Sequence, residues 1–106
     1  LIYAKALKKR LQKMPNSEYI LLGDFNANYN EFQTFLKKRR LNDTNGKTGI
    51  NHILKTIKNN QFIYLDTLRA NYHYNLWLDL PKKERYSHFY KGVKGTLDNI
   101  LIPKSL

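Results

Sequence analysis

At 106 residues with 42% hydrophobic side chains, the chain holds enough apolar material for one domain (1–106) with a single core. No apolar stretch approaches the length of a membrane-spanning helix, and the absence of Cys excludes disulfides, thiolate metal sites and a Cys nucleophile. The net charge of +11 favours polyanions, although Lys far outnumbers Arg, as a compositional bias alone would give.

In chain order, residues 1–13 pattern as an amphipathic helix, with Ala4, Leu7, Leu11 and Met14 on one stripe and lysines opposite. Pro15-Asn16-Ser17 ends it. Tyr19 to Leu22 is a short apolar run, expected as a strand covered on both faces. Asn28 and Glu31 have the form of a capping box, opening a helix through Phe32, Phe35 and Leu36 to Arg40. Residues 42–49 are loop chemistry, with Asp43 as a turn residue. Ile50, Ile53, Leu54 and Ile57 then follow helical spacing and predict a helix ending near Asn59-Asn60. Phe62 to Leu65 suits a strand. Tyr74, Leu76, Leu78 and Leu80 alternate like one, while Pro81 also suits a preceding helical turn. Tyr86–Tyr90 and Thr96–Ile102 flank Lys91-Gly92-Val93-Lys94-Gly95 and pattern as a hairpin. Periodicity thus gives a mixture of helix and strand.

The most informative stretch is Tyr19-Ile-Leu-Leu-Gly-Asp-Phe-Asn-Ala27. A carboxylate and a carboxamide stand two positions apart at the end of an apolar run. In extended backbone, positions i and i+2 share a side, so Asp24 and Asn26 are expected to face one cleft with Phe25 turned into the core. Oxygen donors of this kind suit a hard cation such as Mg²⁺ and a phosphate-bearing substrate. Gly, Asp and Asn also favour turns, so a plain turn is the competing reading.

Gly23-Asp24-Phe25-Asn26-Ala27 after an aliphatic strand resembles the signature of the endonuclease/exonuclease/phosphatase superfamily, which includes deoxyribonuclease I and exonuclease III. Residues 85–102, with Leu97-Asp98 before the apolar Ile100-Leu101-Ile102, resemble that family's late hairpin, in the family's order. The resemblance implies an α+β fold, part of a four-layer α/β sandwich in which two β-sheets pack face to face with helices outside. It implies a phosphodiester hydrolase dependent on Mg²⁺ or Mn²⁺, most simply a nuclease acting on DNA or RNA. Under it, Asp24 orients or deprotonates the attacking water, and Asn26 helps hold the phosphate and the metal shell. Asp98 pairs with a catalytic His and fixes its tautomer. The family's upstream Asn, its metal-binding Glu and its Ser-Asp-His step have no counterpart in the chain, which is therefore expected to be a middle-to-late fragment of a catalytic domain, with Asp24 and Asn26 its possible metal ligands. Phosphatases and sphingomyelinases of the same superfamily share the Gly-Asp-x-Asn signature. A basic nucleic-acid-binding module without catalysis is the alternative from a different class.

Tyr86-Ser87-His88 resembles a segment that faces substrate in the nucleases, which makes Ser87 and His88 candidate phosphate contacts; a half-buried strand His is the plainer reading. His52 and His73 lack ligand spacing and are expected to be structural. Asp66 suits a turn cap before Thr67, and Asp79 has no motif around it. Basic clusters at Lys8-Lys9-Arg10, Lys37–Arg40, Lys82–Arg85 and Lys91…Lys94 give modest support for a nucleic-acid partner. The eight Tyr and five Phe interleave with lysines, as in a stacking platform for single strands. Core packing is the simpler account.

Overall fold

The computed structural model describes residues 2–14, 18–35 and 46–106, with Phe35 described in its backbone alone. Helix α1 (Ile2–Gln12) forms as its stripe predicts and lays Ala4 and Leu7 against the core without fully burying any residue. Strand β1 (Leu21–Asp24) follows, then the short helix α2 (Glu31–Phe35). The expected continuation of α2 to Arg40, the basic cluster at 37–40 and Asp43 lie outside the described residues.

The capping box is half formed. Glu31 reaches back to the backbone N–H of Asn28 at 2.8 Å, but the Asn28 carboxamide faces away from the helix and accepts from the Thr96 backbone N–H at 2.7 Å. A tertiary partner has displaced the local one.

Residues 49–60 correct the expectation of a continuous helix. A single π-helical turn, Gly49–Ile53, stops at Lys55, which adopts a left-handed φ of 58°. The chain then forms a two-stranded hairpin, β2 (Ile57–Lys58) with β3 (Gln61–Phe62). Asn59 and Asn60, at φ 54° and 61°, make the tight turn that Asn tolerates better than other side chains. Ile57 still enters the core, now from a strand, so its apolar spacing had a different cause.

The region 65–84 alternates turns and strand. A 3₁₀ turn at Leu65–Thr67 contains Asp66, β4 is His73–Asn75, and 3₁₀ turns follow at Leu76–Asp79 and Lys82–Glu84. Of the two readings of 74–80, the strand therefore holds only at Tyr74 and Asn75, and the helical turn holds over Leu76–Asp79. The late hairpin forms with a different partner from the one expected. Strand β5 (His88–Tyr90) pairs with β6 (Val93–Gly95) across Lys91-Gly92, and β7 (Asp98–Pro103) leaves to become the central strand of a second sheet.

That sheet has the order β1-β7-β4 and is antiparallel throughout. On its inner face Leu101 is fully buried with Ile50 and Leu54, and Leu21, Phe25 and Ala27 pack around them. A second cluster, Ile63, Leu68 and Tyr74, lies toward β4. The outer face corrects the expectation that β1 is covered on both sides. Leu22 is 67% exposed and its cross-strand neighbour Ile100 is 43% exposed. The architecture is α+β, with small antiparallel sheets and a helix packed on one side. Among the described residues no helix is long and apolar enough to cross a membrane.

Candidate active site

Strand β1 ends where β7 begins, and their antiparallel register sets Asp24 directly opposite Asp98. Opposed residues on neighbouring strands share one face of the sheet. Both carboxylates are exposed, at the rim of the sheet and beyond the apolar Leu22–Ile100 pair.

Backbone geometry holds each of them. Gly23 adopts φ 144°, a conformation that side-chain-bearing residues rarely take, so the residue before Asp24 has to be Gly for structural reasons. Asp24 Oδ1 accepts the backbone N–H of Asn26 at 2.8 Å, closing an Asx turn. Phe25 donates its N–H to the Leu97 carbonyl at 2.9 Å and packs on the core as expected. Asn26 itself departs from the extended geometry that the sequence suggested. Its φ of 52° is left-handed, so it is the turn, and no strand alternation, that keeps Asn26 beside Asp24. The turn reading and the site reading therefore describe one structure. Asp98 is fixed from two sides, its N–H donating to Ser87 Oγ at 3.3 Å and its carbonyl accepting the Trp77 indole N–H at 2.8 Å.

A buried amide network lies beneath this rim. Asn99, 1% exposed, accepts the Asn75 carboxamide N–H at 3.0 Å and donates to the carbonyls of Ala27, Thr96 and Leu97. Asn75 in turn accepts the Trp77 backbone N–H, and Thr96 Oγ1 accepts that of Tyr29. One side chain thus ties the segment after Asp24 to the segment before Asp98. Sequence reasoning assigned Asn99 no role, because a buried amide differs from an exposed one by its partners alone. Trp77 was missed as well; its signal was faint, the single Trp of the chain two residues after an Asn.

Ser87 shares with Asp98 an apolar hollow of about 500 Å³, lined also by Leu22, Trp77, Leu80 and Ile100. His88 is placed differently. It lies on β5 opposite Gly95, exposed, and lines a separate groove beside the hairpin. The structure therefore brings Asp24, Asn26, Asp98 and Ser87 to one rim and leaves His88 outside it. His52 and His73 are bound into the fold. His52 Nδ1 accepts the Thr48 N–H, while His73 lies between the Tyr19 hydroxyl and the Leu54 carbonyl. Burial lowers the pKa of both, helped at His52 by Lys47 and opposed at His73 by the Leu54 carbonyl. Among the described residues no three of His, Cys, Asp or Glu converge as a metal cluster. Any cation held here would rest on the Asp24 carboxylate and the amide oxygen of Asn26, which the turn keeps beside it. No protein-family model matches the chain, and no significant match is found among curated proteins or solved structures.

Proposed function

We propose that the chain carries the catalytic rim of a divalent-metal-dependent phosphodiester hydrolase of the endonuclease/exonuclease/phosphatase kind, with nucleic acid as its substrate class. The observation that carries this reading is the Asp24–Asp98 opposition. Like charges directly across a sheet are destabilising. Here the Asp24 carboxylate is held by the Asn26 N–H and Asp98 through bonds of its own backbone, and both side chains are exposed to solvent, as expected where function is favoured over stability.

The donor set fits Mg²⁺ or Mn²⁺, which take carboxylate and amide oxygens and retain waters. Asp24 and Asn26 would hold the ion, and when bound it supplies positive charge at the phosphoryl oxygens. The rest falls to the side chains. Asp24 Oδ1 is occupied by the Asn26 N–H, which leaves Oδ2 to orient a water and take its proton. The Asn26 carboxamide donates to a phosphoryl oxygen. Asp98 presents its carboxylate to an imidazole and fixes the tautomer of a general acid. In this reading that imidazole comes from outside the 106 residues, since His52 and His73 are bonded elsewhere and His88 lines the hairpin groove. The same reading makes the β1-β7-β4 sheet one of two in a four-layer α/β sandwich. Its exposed Leu22–Ile100 face supports this, because an apolar sheet face is normally covered by a second layer.

The test is phosphodiester hydrolysis by the complete protein. Asp24→Asn should lower kcat by orders of magnitude with substrate affinity nearly unchanged, the pattern of a lost transition-state interaction. Asp66→Asn, an exposed carboxylate on a 3₁₀ turn, is the control for charge. Wild-type turnover in Asp24→Asn, or equal loss in the control, would remove the assignment.

A further inference from the structure

The β5–β6 hairpin reverses the expectation that the aromatics serve the core. Phe89 is 59% exposed and Tyr90 60%, whereas Tyr29, Phe32 and Tyr74 are buried. His88 and Tyr90, two apart on β5, project to the same side and stack, with ring centroids 6.2 Å apart and planes at 26°. Opposite His88 stands Gly95, which contributes no side chain to obstruct the rings. Lys91 Nζ lies 5.3 Å from the Tyr90 centroid. Beside the stack runs a groove of about 770 Å³, walled by Lys82, Lys83 and Arg85 and reaching Leu97, the residue before Asp98.

We infer that this groove seats an unpaired nucleic-acid strand, its bases stacking on the His88–Tyr90 platform and its phosphates following the flanking lysines. A ring held flat and exposed is used by a base whose own face is free, and in a duplex the faces are already stacked. The cations supply the sequence-blind phosphate attraction. An anionic membrane is a poorer fit, because the hairpin tip is Lys91-Gly92 and the stacked rings line a groove behind it. The inference rests on the phosphodiesterase reading for its substrate class, and it makes that substrate single-stranded where it enters the site.

The experiment is fluorescence anisotropy of the purified chain with labelled oligo-dT and with a duplex of equal length, at low and at physiological salt. Tyr90→Ala should weaken oligo-dT binding roughly 5- to 100-fold, the value of one base stack, and duplex binding by less than about 3-fold. Tyr90→Phe keeps the ring and should bind as wild type, which separates stacking from a collapsed hairpin. Lys91→Gln should weaken both ligands and flatten the salt dependence. Tyr3→Ala, at a still more exposed aromatic on α1, should change neither. Equal wild-type affinity for the two ligands, or a Tyr90→Ala effect no larger than that of Tyr3→Ala, would overturn the inference. So would Tyr90-dependent binding to phosphatidylserine vesicles without oligo-dT binding, which would make the hairpin a membrane contact. Tyr90-dependent oligo-dT binding in a complete protein that hydrolyses no phosphodiester supports the groove while removing the catalytic reading. Hydrolysis that is indifferent to Tyr90 does the reverse.

Discussion

The centre of the β1-β7-β4 sheet and the β5–β6 hairpin are both antiparallel, yet they place their polar and aromatic groups in opposite ways. In the sheet, amides go inside: Asn75 and Asn99 are buried and bonded to each other and to the backbone of three segments. In the hairpin, rings go outside, where Phe89 and Tyr90 meet solvent and lysines. Buried amides fix geometry, since each lost partner leaves an unsatisfied group in a low-dielectric interior. Exposed rings fix little and remain available to a ligand. The first region therefore reads as the frame of the candidate site and the second as its approach.

Mutations should separate the two regions cleanly. The largest effect is expected from Leu101→Ala, which empties a fully buried position among Ile50 and Leu54 and should cost about 2–5 kcal/mol in urea denaturation. Asn99→Ala comes next, at about 1–3 kcal/mol, because it takes the partner from the Asn75 carboxamide and from the Ala27 and Thr96 carbonyls, while the Leu97 carbonyl keeps the Phe25 N–H. A loss under about 0.5 kcal/mol there would mean that the network holds nothing in place. Acidification should act with the same sign through two imidazoles. Burial keeps the pKa of His73 and His52 below the ordinary 6.5, so the unfolded chain binds protons first as pH falls. Their contribution is complete above about pH 6.5 and is lost progressively below it. His73→Gln should flatten the dependence of Tm on pH between about 5 and 6.5.

At the rim the expected sign reverses. Asp98→Asn removes one of two opposed charges and should raise stability by roughly 0.2–1 kcal/mol while lowering turnover. A loss of stability would show that the opposition is already compensated and costs the fold nothing. The smallest effect belongs to the hairpin, where Tyr90→Ala should change stability by no more than about 0.5 kcal/mol. A larger cost would move Tyr90 from ligand platform to framework.

Some of this was legible in the residues. Helix α1 carries its stripe in its own sequence, and Gly23-Asp24-Phe25-Asn26 announces both a turn and a polar rim through local chemistry. Other readings failed where a distant partner outweighed a local one. Ile57 kept its apolar spacing but entered the core from a strand, because Lys55 and the Asn59-Asn60 turn ended the helix first. The Asn28 carboxamide left its helix for Thr96, 68 residues away. Strand β7 left the expected hairpin for β1 and β4, since the inner face of that sheet buries Leu101 completely.

The sequence by itself determined the α+β mixture, the cationic surface and the placing of Asp24 and Asn26 together, because these depend on composition and on bonds spanning two or three residues. Tertiary structure alone decided that Asp98 stands opposite Asp24, that Asn99 is buried beneath them and that Tyr90 is not buried at all. Each of these depends on strand register and on which face finds a covering layer. Register and coverage are settled by the summed burial of residues far apart in the chain, which short-range spacing does not encode.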